Sequence, residues 1–255
     1  EIKETDPSVA ILYYCLTPLF NAYIDQCGAD DLWMSRGRYD AGFARRALLS
    51  SLCGRTGLVP YGSSGYDWRS AASIWFDTAV IGTPGVIAPL AGDEYGDRLT
   101  PDLAARYNGI TRVARSNAVF DLRFLDAELR DAEHGPVARS WERVEDGETV
   151  VVALRRGGSR SLSSVVSADC AVVVASLTER GIAGSSELAV VPFEDGEVRI
   201  AREGASGVRA VARAFRLDGT AEPWDVDWSA GALRVPVSAS ADDGLPIEYI
   251  HVTFE

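Results

Sequence analysis

Carboxylates and aromatic side chains occur together in several short, glycine- or serine-rich stretches of the first half of this sequence, a pairing suited to chemistry on a sugar. Cleaving a glycosidic bond takes two carboxyl groups. One protonates the leaving oxygen, and the other attacks the anomeric carbon or activates water. Aromatic rings supply flat apolar platforms for sugar faces, and Arg, Asp and Asn hold hydroxyls. The most suggestive stretch is Tyr61-Gly-Ser-Ser-Gly-Tyr-Asp-Trp68. Its two glycines allow a sharp backbone turn. Asp67 stands between Tyr66 and Trp68, where burial would raise its pKa towards that of a proton donor. Asp67 is equally well placed to cap a following helix.

Three more stretches carry the same residue types. Ala91-Gly-Asp-Glu-Tyr-Gly96 puts Asp93 and Glu94 side by side, so at most one points cleanly into a site; a turn with solvated carboxylates is the alternative. Ser35–Asp40 carries Arg36, Arg38 and Asp40 behind Trp33. An arginine here can hold sugar hydroxyls or steady a carboxylate, or form a surface ion pair with Asp40. Tyr13 and Tyr14 end the first apolar run, one facing the interior or site and the other packing against helices.

Other chemistries fit less well. Gly62-Ser-Ser-Gly65 lacks the spacing of a nucleophile elbow, has no His in a triad position, and lacks the Lys of a phosphate-binding loop. Cys15, Cys27, Cys53 and Cys170 form no C-x-x-C pair, and neither His134 nor His251 lies near one of them, which argues against a zinc site or other metal. The cysteines read as core thiols, with a Cys15–Cys27 disulfide as an option. His134 reads as a linker residue and His251 as a strand residue. Trp224 and Trp228 suit either a sugar platform or the core. No cofactor is implied.

The elements that must position these residues come in two kinds. In the first half, short apolar runs alternate with loops and helical stretches. The runs are Val9–Cys15, Asp31–Met34, Gly57–Tyr61 and Val86–Leu90. A short helix is expected from Pro18 to about Cys27, another over Phe43–Cys53 stopped by Gly54, and a third over Ala71–Ile81 stopped by Gly82. The last helix starts from Thr100 as N-cap and Pro101 at the first helical position. Its apolar face is expected at Leu103, Tyr107, Ile110 and Val113. Strands alternating with helices imply a parallel sheet, with the chemistry on loops after the strands. Asp30 and Asp31 are expected to precede the second strand, on the stability face.

From about residue 137 the period becomes two. Val150–Leu154, Cys170–Ser176, Ser186–Val191, Val198–Ala201, Val208–Phe215, Leu233–Val237 and Ile247–Phe254 read as strands, and turns are expected at 146–147, 157–158, 195–196, 218–219 and 243–244. These are the marks of an antiparallel β-sandwich. The expected organisation is α/β plus all-β: strand–helix units over 1–117, a linker over 118–136 and a sandwich over 137–255. Phe120–Leu125 is compatible with either side of that boundary.

The net charge of −12 disfavours nucleic acid and anionic membranes as partners but leaves a neutral carbohydrate compatible. No apolar run approaches the length needed to cross a bilayer. The chain begins at Glu1, and four strand–helix units alone would leave open edges, so further N-terminal units are expected. Cytoplasmic and secreted locations are both compatible, and oligomeric state is not legible.

Three features together resemble the final strands of TIM-barrel glycoside hydrolases of the α-galactosidase (melibiase-like) type. They are the run Tyr61–Trp68 with the helix Ala71–Ile81, the segment Val86–Glu94, and the passage from the 101–116 helix through Phe120–Leu125 into a β-domain containing Val150–Leu154. The resemblance implies that the four runs are barrel strands five to eight. It also implies that the nucleophilic Asp follows the fourth strand, upstream of Glu1, and the acid/base Asp follows the sixth, making Asp40 the nearest match. Asp67 and Asp93 or Glu94 would be sugar-binding or catalytic, with Tyr14, Trp33, Arg36, Tyr66 and Trp68 binding substrate. The reading is a glycosidase acting on a neutral sugar. The alternative is a non-catalytic carbohydrate-binding or structural protein centred on the β-domain.

Overall fold

A computed structural model describes residues 2–13, 21–28, 52–53, 55–61, 92, 96–113, 121–129, 136–154, 165–202 and 207–255. Most of the described chain is antiparallel β-sheet. The strands after residue 120 are β4 (Asp121–Leu129), β5 (Pro136–Glu145), β6 (Glu148–Leu154), β7 (Val166–Ala168), β8 (Val172–Ser176), β9 (Glu187–Pro192), β10 (Gly196–Ala201), β11 (Ala210–Arg216), β12 (Ala221–Trp224), β13 (Asp227–Ser229), β14 (Ala232–Val237) and β15 (Ile247–Phe254). They form an eight-stranded sheet, in the order β12-β11-β15-β9-β8-β6-β5-β4, and a four-stranded sheet, β13-β14-β10-β7.

The core lies between the two sheets, as in a β-sandwich. Val152, Val174, Val190 and Ile250 come from the large sheet, and Val198, Ile200, Leu233 and Val235 from the small one; all are buried. Every residue of β8 is buried, and Val172–Ala175 is continuously apolar rather than alternating. A strand covered on both faces loses the period-two signal.

Besides the short helix α1 (Ile2–Thr5), a longer helix, α2 (Pro101–Val113), packs on β9 and β15 at the other face of the large sheet. Thr100 caps it as expected, accepting a bond from Leu103 N at 3.2 Å. Its buried residues are Ala105, Arg106, Gly109, Ile110 and Val113, whereas Leu103 and Tyr107 are half-buried. The apolar face is thus rotated from the expected one, because α2 seats its small residues on the sheet. Gly109 lies against the Glu248 carbonyl, and Arg106 donates to Ile247 O and Ala239 O, both at 2.8 Å.

Two tight turns show why local sequence works here. Asp146 and Gly147, joining β5 to β6, both have positive φ (50° and 85°), the geometry that suits the twist of a two-residue hairpin. Ala230 and Gly231 (51° and 81°) do the same between β13 and β14. Gly219 and Gly244 are also left-handed, at expected turns. The expected turn at 195–196 is different. Gly196 begins β10, and Asp195 accepts bonds from Ser238 Oγ and Ala239 N at 2.9 and 2.8 Å. The pair 157–158 lies outside the described residues.

The linker expected over 118–136 contains β4, which pairs antiparallel with β5. The β-region therefore includes Asp121. The reason is that β4 and β5 are rich in Arg, Asp and Glu, and burial of Glu142 and Arg143 is decided by the sheet around them.

In the first half, three short strands pair in parallel: β1 (Leu12–Tyr13), β2 (Gln26–Gly28) and β3 (Val59–Tyr61), in that order. β2 occupies residues expected to close a short helix, after a 3-10 turn at Asn21–Tyr23. It is paired on both sides, so sheet bonding overrides local helical spacing. The run Asp31–Met34, expected to be the second strand, lies outside the described residues, as does Val86–Leu90. The helix expected to stop at Gly54 remains helical at Arg55 and is closed by Gly57 (φ 74°), with Leu58 N bonding Cys53 O at 2.9 Å. That six-to-one bond past a left-handed glycine is a Schellman cap.

Candidate active site

Parallel pairing gives the three first-half strands a common direction. Leu12 lies opposite Gln26, and Gln26 opposite Val59; Tyr13 lies opposite Cys27, and Gly28 opposite Tyr61. The strand ends Tyr13, Gly28 and Tyr61 therefore fall on one edge. Loops leaving the C-terminal edge of parallel strands are where such sheets place chemistry.

The opposite edge is tied down structurally. Asp25, just before β2, accepts Ile11 N at 2.8 Å and Lys3 Nζ at 2.5 Å, and its own N–H donates to Ile11 O at 2.9 Å. The Ile11 amide, then Lys3, hold the Asp25 carboxyl below its usual range, so it is ionised at neutral pH and unsuited to donating a proton. Ile24, Cys53 and Leu58 form a small buried cluster, with Ile11 packed against it.

Asp40, Asp67, Asp93, Glu94, Tyr14, Trp33, Arg36, Tyr66 and Trp68 all lie outside the described residues. Their chain positions relative to described residues are informative. Tyr14 directly follows β1, and Tyr66–Trp68 begins five residues after Tyr61 ends β3. Asp93 and Glu94 follow Gly92, whose φ of 143° is a conformation L side chains rarely adopt. A Cβ at Gly92 would be 3.7 Å from Asp97 O, so the ends of this short loop meet.

Asp30 and Asp31, expected to precede the second strand, lie outside the described residues, as does the run Asp31–Met34; in chain order they follow Gly28, the last residue of β2. Sequence reasoning missed β2 itself because it is three residues long, begins with Gln and shows no alternation.

The β-region offers weaker features. Trp224 donates its indole N–H to Pro236 O at 2.7 Å, and Trp228 tilts against Phe254, 6.3 Å between ring centres. Both are half-buried and packed against the sandwich core, so neither presents a bare platform. His251 Nε2 is 3.1 Å from Glu187 Oε2 on β9. Cys53 and Cys170 are buried thiols outside any disulfide. Burial, then the nearby Asp169, Glu194 and Asp195, push the Cys170 thiol up to about 12, making it unreactive. A shallow, open cleft of about 590 Å³ is lined by Thr178, Glu179, Arg180, Gly184 and Ser186. The hydroxyls around it bond within their own loop: Ser185 Oγ meets Ser176 Oγ at 2.9 Å and Thr178 Oγ1 at 2.8 Å, and donates to Glu187 O at 2.6 Å.

Among the described residues no three His, Cys, Asp or Glu side chains are grouped to hold a metal ion, and no helix is long and apolar enough to cross a membrane. No family model matches the chain, and no curated protein matches it in sequence.

Proposed function

We propose that this chain is part of a glycoside hydrolase, with carboxylates on loops after parallel strands acting on a neutral sugar. The observation that carries the reading is the shared direction of β1, β2 and β3. It puts on one edge the strand ends Tyr13, Gly28 and Tyr61, after which the chain continues to Tyr14, to Asp30 and Asp31, and to Tyr66–Trp68. Carboxylates and aromatics converging on such an edge suit acid/base cleavage of a glycosidic bond. A half barrel over the first half, with the antiparallel region appended after α2, is part of this proposal.

The position of β2 sharpens the roles. If β2 is the sixth strand of a barrel, an acid/base carboxylate following it is Asp30 or Asp31, both nearer to the strand end than Asp40. Asp67, Asp93 and Glu94 remain candidates to bind or assist. Single changes Asp30→Asn, Asp31→Asn, Asp40→Asn, Asp67→Asn, Asp93→Asn and Glu94→Gln in the full-length protein, assayed on a panel of aryl glycosides, test this. Loss of the acid/base is expected to lower turnover about 10²–10⁴-fold, least for the best leaving groups. Full activity in all six variants would overturn the reading.

A further inference from the structure

We draw no further inference here: the strongest candidate, the exposed apolar surface around strand β1 formed by Ile2, Val9, Leu12 and Tyr13, has nothing in the structure to show what covers it.

Discussion

Replacing Gly109 with alanine sets a local gain against a packing cost. In an exposed helix alanine is better than glycine by about 1 kcal/mol. Gly109, however, sits on the buried face of α2. A Cβ there would lie 2.2 Å from the Glu248 carbonyl oxygen and 2.8 Å from Val191 Cγ1. The carbonyl is backbone within β15, beside the register shift opposite Phe215 and Arg216 of β11, and it cannot swing aside as the end of a flexible side chain could. An ordinary carbon-to-oxygen contact is about 3.3–3.6 Å, so the helix must retreat by roughly 1 Å. That shift strains the Asn108–Glu248 bond at 2.5 Å and both Arg106 bonds, to Ile247 O in β15 and Ala239 O after β14. Overpacking costs about 1–3 kcal/mol, and weakening a bond to a charged group about 1.5–3 kcal/mol. After the helical gain is subtracted, a net loss of about 1.5–5 kcal/mol is expected. Urea unfolding followed by tryptophan fluorescence measures it, with exposed Thr111→Ala as a control expected to change little. A Gly109→Ala protein as stable as the parent, or more stable by about 1 kcal/mol, would refute the seating of α2 on β15.

Four further outcomes follow from the same structure. Arg106→Met removes the donors serving Ile247 O and Ala239 O and is expected to cost about 2–4 kcal/mol by the same unfolding assay. Ala230→Gly relieves a left-handed alanine (φ 51°) and is expected to raise stability by about 0.5 kcal/mol, read as a higher melting temperature. Hydrogen bonds from Arg234 and Arg199 lower the Glu197 carboxyl from 4.5 to about 2. Its stabilisation is therefore present above pH 4.5 and lost as pH falls towards 2; Glu197→Gln should flatten the stability profile in that window. The Cys170 thiol, raised from 9.0 to about 12, should resist a thiol reagent at pH 8 until the protein unfolds, and its contribution to stability should fall as pH rises from about 9 to 12.

Much of the antiparallel region was legible because its signals are local. The cores of β6, β8, β9, β10, β11, β14 and β15 coincide with apolar runs, and Asp-Gly pairs mark several of their turns. The strands that escaped notice are short or charged. β7, β12 and β13 have three or four residues each, and β12 contains Pro223. β5 buries Glu142 and Arg143, which no hydropathy pattern would place inside. The candidate site is legible only as residue types and spacing in the sequence, because its residues lie outside the described ones. β2 escaped notice because it is defined by two neighbours rather than by its own residues.

What the sequence determined by itself was the chemistry that acts over a few residues: the Thr100 cap, the positive-φ turn at Asp146 and Gly147, and a two-residue period through the second half. Which face of α2 is buried, that β4 joins the large sheet, and where β2 begins were decided only by the tertiary structure. Each of those depends on partners distant in sequence. Arg106 finds its acceptors at Ala239 and Ile247, and Gln26 pairs with Val59. Backbone pairing and close approach between such segments outweigh local preferences that differ by only about 1 kcal/mol per residue.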